Sequence, residues 1–351
     1  MKKNKKDSNG VSRRQFIGTS VSLATGMFMG VGSAFGAPSL MRRFALPDSK
    51  IKGVQIGVIT YSYRSMPDQS AEAILKAVVD SGIGAVELMG DPAETYAGRP
   101  ENPVDRGAFF MLMRKSRDGE LTDAEQQSME GMQAQMAEYN QRVAEWRANV
   151  PMDKFVELRK MFNDAGVSIY AFKPNAFNAE NSDAEINYAL RAAKALGANS
   201  CTRELPEDPS LTQRLGNLAE NNGVYMGYHN HTQATPTLWD TALAQSEYNT
   251  LNLDIGHWVA AGNPSVLDFI REKHDRITSI HVKDRTTPAN GAQNLMWGEG
   301  DTPISEVLNL ISTEGYTFPF TIELEYQVPE GSNAVNEVKR CLEYSKNSLN
   351  A

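Results

Sequence analysis

Four of the five histidines in the 351 residues fall in three short motifs. His229 and His231 stand in Gly-Tyr-His-Asn-His, His257 in Leu-Asp-Ile-Gly-His-Trp and His281 in Ser-Ile-His-Val-Lys-Asp. The fifth, His274 in Arg-Glu-Lys-His-Asp, reads as an ordinary helix-surface residue. Carboxylates accompany the motifs: Asp254 precedes His257, and Glu323 and Glu325 stand in Thr-Ile-Glu-Leu-Glu-Tyr. A spacing of two puts both glutamates on one face of a strand. A charge directed into a core is costly unless it is paired or bound to a cation. Imidazole and carboxylate donors together suit one divalent ion, Mn²⁺, Zn²⁺, Fe²⁺ or Co²⁺, and the donor types do not choose among them. Any one of these residues reads as half of a buried ion pair; their arrival at successive strand ends points to a metal centre.

Further polar residues fall at strand ends: Glu87 in Ala-Val-Glu-Leu, Lys173 in Ala-Phe-Lys-Pro-Asn, Arg203-Glu204 and Lys283-Asp284. Each either orients substrate hydroxyls or forms a structural ion pair. Trp297 opens Trp-Gly-Glu-Gly-Asp, where the glycines permit close approach to a ligand. Trp258 and Trp297 offer apolar surface to a sugar ring, or simply pack.

The elements that must position these groups alternate regularly. Runs rich in Val, Ile, Tyr and Leu at 54–61, 85–89, 167–173, 199–204, 224–231, 251–254, 277–283 and 318–326 are predicted strands. Helical patterns at 71–80, 153–165, 184–196 and 211–222 separate them, each followed by a glycine suited to a left-handed cap. Eight such βα units predict an α/β fold, a closed (β/α)₈ barrel, in which strand carboxyl ends converge on one site. No glycine-rich phosphate fingerprint follows the first strand, which weighs against a dinucleotide fold. Residues 90–150 form a long insertion after the second strand, with a Pro- and Gly-rich start and a polar helix at 123–147. A barrel usually spends such an insertion on a lid or a subunit contact at its catalytic face.

Residues 1–36 have a basic start, Arg13-Arg14-Gln15-Phe16-Ile17, and a mildly apolar run to Phe35 that ends in small residues. This resembles a twin-arginine export signal and predicts a periplasmic protein, with a linker at 37–52 and the barrel from 53 to 351. The run is too rich in Gly and Ser for a comfortable membrane span. Residues 1–36 hold six Lys/Arg and one Asp, so removing them takes the net charge from −8 to −13. Such a surface repels nucleic acid. Two cysteines are too few for a disulfide framework, and no bridge is expected.

These strand-end motifs resemble the xylose isomerase-like barrels, the sugar phosphate isomerase/epimerase family. That family includes keto-sugar 3-epimerases, inosose dehydratases and, more distantly, AP endonucleases of the endonuclease IV type. The resemblance spans residues 54–344 and is best at 227–331. It implies one divalent metal ion held from strands five to eight, here by His229, Asp254, His281 and Glu325. Glu325 fits the last ligand better than Glu323. It implies substrate contact by His257, beside the candidates Glu87, Lys173, Glu204, Lys283, Asp284 and Trp297. Strand five carries His229 where the epimerases carry a Glu that is both ligand and base. Proton transfer then falls to His229, His231, Glu323 or Glu325. The implied activity is isomerisation or epimerisation of a keto-sugar through an enediolate, with metal-dependent elimination as the alternative. A periplasmic sugar-binding protein without catalysis is the reading outside enzymes. Family members are often dimers or tetramers, which implies a homo-oligomer.

Overall fold

The structure is a computed structural model that describes residues 46–351. The export signal and the start of the linker lie outside the described residues. Eight parallel strands form the barrel: β1 (Val54–Ile59), β2 (Ala85–Met89), β3 (Ser168–Lys173), β4 (Ser200–Glu204), β5 (Tyr225–His229), β6 (Asn249–Asp254), β7 (Ile277–Val282) and β8 (Phe320–Ile322). Each pairs with the next, and β8 pairs back onto β1, which closes the barrel.

Alternation along the strands sorts the side chains. On β6 and β7 the outward Leu251, Leu253, Ile280 and Val282 are buried among apolar neighbours. The inward Asn252, Asp254, Ser279 and His281 are equally buried but polar. Near the barrel floor, β3 carries an extra residue: Ile169 pairs with Val86 and Ala171 with Glu87, so Tyr170 is left over. Tyr170 reaches across to Thr321 Oγ1 at 2.7 Å. A Cβ at Gly57 would stand 2.8 Å from the Tyr170 ring, so that position of β1 is open only to glycine. The barrel's amino end begins earlier than residue 53. Lys50–Ile51 pairs antiparallel with β1, and the buried Ser49 donates to Ile56 O and accepts from Gly84 N.

The helices follow their caps. α1 (Ala71–Asp80) starts at Ser70, whose side chain accepts from Ala73 N, and buries Ala71, Ile74, Leu75 and Val78 at helical spacing. The insertion comprises α2 (Gly90–Tyr96), α3 (Arg106–Asp118) and α4 (Asp123–Asn149). α3 was not anticipated; it buries no residue and exposes Phe110, Met111 and Met113. α4 starts in a capping box, Thr122 with Glu125, and buries only Tyr139, Val143 and Arg147. α5 (Asp153–Asp164) and α6 (Asp183–Leu196) return the chain to the regular βα order.

A buried ion cluster ties α4 to the barrel. Glu94 on α2 accepts from Arg99 at 2.8 Å, Arg147 at 3.1 Å and Tyr188 at 3.3 Å, and Arg147 also meets Glu185 on α6 at 3.3 Å. Removing one partner strands a buried charge, which costs about 3–5 kcal/mol. Arg147→Met is therefore expected to lose that much stability in urea unfolding; an unchanged midpoint would show that the cluster is not what holds α4. Cys201 and Cys341 are both buried and unpaired. Among the described residues no helix is long and apolar enough to cross a membrane.

Candidate metal and proton-transfer site

At the carboxyl end of the barrel, His281 on β7 lies between two carboxylates. Its Nε2 is 2.7 Å from Glu87 Oε2 and its Nδ1 is 2.8 Å from Glu323 Oε2. Both nitrogens donate only in the imidazolium. Burial opposes that charge, but Glu87 and Glu323 override it and lift His281 to about 10. Glu87, fully buried on β2, also accepts from Thr202 Oγ1 at 2.6 Å and Asn252 Nδ2 at 3.2 Å.

Asn252 sets the state of a second histidine. Its amide nitrogen donates to Glu87 and to Ser279 Oγ, so its carbonyl oxygen faces His229 Nδ1 at 2.7 Å. An amide oxygen only accepts, so Nδ1 carries the proton and Nε2 keeps its lone pair. Burial, with His281 beside it, holds His229 well below the ordinary imidazole range, so the ring is neutral.

That lone pair faces Asp254 Oδ2 at 3.9 Å. Asp254 Oδ1 accepts from His257 N at 2.6 Å, while Oδ2 is buried without a hydrogen bond. Lys283 Nζ comes within 3.2 Å of Oδ2 but is not aligned to donate to it. Burial raises the Asp254 carboxyl above its ordinary range. A nitrogen lone pair and a carboxylate oxygen with no aligned hydrogen bond, both buried and facing each other, are donors that suit a cation, in competition with the Lys283 ammonium. The donor atoms of His229, Asp254, His281 and Glu323 lie within 4.8 Å of one another. The set fits a divalent ion: His229 has its other N–H anchored on a carbonyl, as metal-bound histidines usually do. His281 joins such a set only by giving up a proton. Because it stays protonated below about 10, affinity for Mn²⁺ is expected to rise about tenfold per pH unit from pH 7 to 9. A titration that is flat over that range would remove His281 from the ligands.

Lys283 joins the carboxylates, with Nζ 2.9 Å from Glu325 Oε2, 3.1 Å from Glu323 Oε2 and 3.1 Å from His257 Nε2. Burial works against its charge, but Asp254, Glu323 and Glu325 keep it protonated. A Cβ on Gly256 would collide with the Lys283 carbonyl, so only glycine lets the turn after β6 lie so close to β7. His257 has Lys283 at one ring nitrogen and Arg285, at 2.6 Å, at the other. Burial and these two cations push it down to about 3, so it stays neutral. His231 is exposed past the end of β5, its ring centroid 5.2 Å from that of His229 and 4.8 Å from that of His257. These three rings form a second group with donor atoms within 4.8 Å.

The structure rearranges several sequence expectations. Glu323, not Glu325, completes the four-residue cluster; Glu325 is a quarter exposed and pairs with Lys283. Glu87 is sealed behind His281, out of reach of a substrate. Asp284 points outward, where it accepts from Gly298 N at 2.7 Å, Gly300 N at 2.9 Å and Thr302 N at 3.2 Å and so shapes a loop. Trp297 packs edge-on against Phe320 and Tyr344 in the helix layer and offers no platform at the mouth. Lys173 and Glu204 pair at 2.9 Å on the rim, where a substrate can meet them. The sequence reading missed Asn252 and Arg285. Asn252 lies two residues from Asp254 along β6, a spacing that would have found it; Arg285 lies past the end of β7, where no strand period points to it.

The sequence from residue 124 to 344 matches the family model of the xylose isomerase-like TIM barrel. A comparison with curated proteins finds no match. Among solved structures, a sugar phosphate isomerase/epimerase from Parabacteroides distasonis ATCC 8503 is 16% identical, with a TM-score of 0.54 over 84% of this chain and 94% of that one. D-psicose 3-epimerase from Clostridium cellulolyticum H10 is 11% identical, with a TM-score of 0.54 over 84% and 99%. The probable 3-DHS dehydratase AsbF from Bacillus anthracis is 13% identical, with a TM-score of 0.54 over 83% and 98%. With the family match covering more than half of its length, the chain belongs to the xylose isomerase-like TIM-barrel family.

Proposed function

We propose that this chain is a divalent-metal-dependent isomerase or epimerase of a keto-sugar. The observation that carries the reading is the buried, facing pair of His229 Nε2 and Asp254 Oδ2, with an exposed imidazole, His231, at the same mouth. An ion held by His229, Asp254, Glu323 and a deprotonated His281 would polarise a carbonyl and stabilise an enediolate. The chain's own residues do the rest. His231, whose ring makes no hydrogen bond among the described residues, takes the proton from the carbon beside the carbonyl. Against the cost of burial, Lys283 holds the Glu323 carboxyl well below its ordinary range and pairs with Glu325, and the Lys173–Glu204 pair orients hydroxyls at the rim. Return of the proton to the other face is epimerisation, and its return to the neighbouring carbon is isomerisation. The epimerases among the solved structures of this fold support the reading.

One observation favours elimination as a second reading. Strand five presents a neutral imidazole, His229, whose proton is committed to Asn252, so strand five supplies no second base for a symmetric proton relay. Incubation of the Mn²⁺-loaded protein with D-fructose and other keto-sugars in D₂O decides between them. Deuterium beside the carbonyl with the carbon skeleton intact supports epimerisation. An unsaturated product supports elimination. No exchange and no product would end the enediolate reading. We also propose export to the periplasm, on the pattern of residues 1–36. Replacing Arg13 and Arg14 by lysine is expected to leave the protein in the cytoplasmic fraction, and undiminished export would refute the twin-arginine route.

A further inference from the structure

The insertion and the barrel rim enclose a cleft that the proposed reaction does not use. It measures about 610 Å³ and lies between α4, with Tyr139, Asn140 and Ala144, and the segment after β3, with Asn175 and Asn178. A smaller cavity of about 150 Å³ shares Met89, Lys173, Asn175 and Asn178 with it and is bounded on its other side by Thr202 and Glu204. Thr202 is the residue that holds Glu87, and Glu87 holds His281. The two cavities adjoin at these shared residues, next to the rim pair Lys173–Glu204.

Its lining selects a class of ligand. Five asparagines contribute to the cleft, at 102, 140, 175, 178 and 181; Asn102, Asn175, Asn178 and Asn181 each make a side-chain hydrogen bond within the wall, and the Asn140 amide has none among the described residues. A side-chain amide offers donors and an acceptor together, which matches the hydroxyl groups of a sugar. The cations in the wall are already paired: Arg99 with Asp91 and Glu94, Arg106 with Asp91, Arg147 with Glu94 and Glu185, and Lys173 with Glu204. Among the described residues the wall thus keeps no free cation for a phosphate or a carboxylate. Met89, Met136 and the ring of Tyr139 supply apolar surface between the amides. The buried Glu94–Arg147–Glu185 cluster fixes α4 in place, so the cleft is pre-formed, and its volume falls in the range of about 300–1,000 Å³ usual for small-molecule sites.

We propose that this cleft is a subsite for a second, uncharged sugar ring, so that the substrate class is a disaccharide or other glycoside rather than a free monosaccharide. The inference rests on the carbohydrate reading of the barrel site. One ring sits at the barrel mouth, and the linkage passes between Lys173 and Asn175 toward α4.

The test is calorimetric titration of the wild-type protein with glucose, maltose, cellobiose and trehalose, repeated on Ala144→Trp, which fills the cleft, and Asn140→Ala, which removes one amide. Neither residue belongs to the barrel site, and circular dichroism checks that each variant folds. At least one disaccharide is expected to bind ten or more times more tightly than glucose. Ala144→Trp is expected to abolish that advantage without changing glucose binding. Asn140→Ala is expected to weaken the disaccharide about 3- to 10-fold, the worth of one hydrogen bond. Equal binding of glucose and every disaccharide, no disaccharide binding, or disaccharide binding unchanged in a folded Ala144→Trp would each overturn the subsite. The D₂O experiment fails separately. Disaccharide binding blocked by Ala144→Trp without any exchange or product would leave the subsite and remove the enediolate reaction, whereas exchange on monosaccharides with no gain from a second ring would do the reverse.

Discussion

Asp254→Asn is expected to lower kcat/KM for proton exchange about 1,000-fold while leaving the protein folded. The carboxylate has one oxygen committed to His257 N and one buried oxygen that receives no hydrogen bond. Asparagine keeps the first contact through its carbonyl and removes the charge of the second. What is lost is the anionic donor facing His229, and polarisation of a carbonyl by a bound ion is worth several kcal/mol, or about three powers of ten in rate. What is spared is stability: the substitution relieves a buried charge whose carboxyl burial already raises, so unfolding is expected to shift by no more than about 1 kcal/mol. A variant that keeps more than a tenth of wild-type exchange would show that Asp254 does not hold the ion. A variant that unfolds would show that the residue is structural.

Lys283→Met is expected to have a large effect on stability. Its ammonium lies within 3.2 Å of Asp254, Glu323 and Glu325, and its side chain is almost wholly buried. Without it the three carboxylates crowd one another with His281 as the only cation bonded to any of them among the described residues. Breaking a buried pair in this way costs about 3–5 kcal/mol, and the metal-free protein is expected to melt roughly 10 °C lower. The carboxylates left behind attract a divalent ion more strongly, so millimolar Mn²⁺ is expected to raise the Tm of the variant more than that of the wild type. An unchanged melting temperature would mean that Lys283 is not balancing this charge. A fall that Mn²⁺ does not reverse would mean that the packing of its stem is what mattered.

The barrel was legible because its signal is redundant. Each strand buries an apolar outward face, and Gly82, Gly166, Gly197 and Gly223 take positive φ where a helix hands over to the next strand. The expected strand ends lie within a few residues of those observed, and β2 keeps the same bounds, Ala85–Met89. Convergence of His229, Asp254 and His281 followed from the barrel alone. The choice between Glu323 and Glu325 did not, because spacing by two puts both on one face only while the strand lasts. β8 ends at Ile322, Glu323 N still bonds to Val282 O, and the chain then turns away. Glu87 misled for a different reason: its partners Thr202, Asn252 and His281 come from β4, β6 and β7, a convergence that no local window reveals. Of the two readings open for Asp284 and Trp297, the structure places both in structural contacts, and for Asp284 the spacing already points that way, since it follows the inward His281 and Lys283 at an odd spacing. α3 hid because its apolar residues, Phe110, Met111 and Met113, have no core to face and show no partner in the sequence.

The charge states around His281 also define how stability responds to pH. A group lifted to about 10 when folded, from an ordinary imidazole value near 6.5, contributes fully below about 6.5 and loses that contribution as pH rises toward 10. His229 and His257 act in the opposite sense, since both are held below the ordinary value: their contribution is present above about 6.5 and fades as pH falls. The metal-free protein is therefore expected to be most stable near neutrality.

The most direct measurement is the metal content of the purified protein after dialysis against Mn²⁺, determined by inductively coupled plasma mass spectrometry. The wild type is measured beside a variant carrying both His229→Ala and Asp254→Asn. The expected result is one ion per wild-type chain and none in a variant whose circular dichroism is unchanged. No ion in the wild type, or equal content in the two proteins, would contradict a metal centre built on His229 and Asp254.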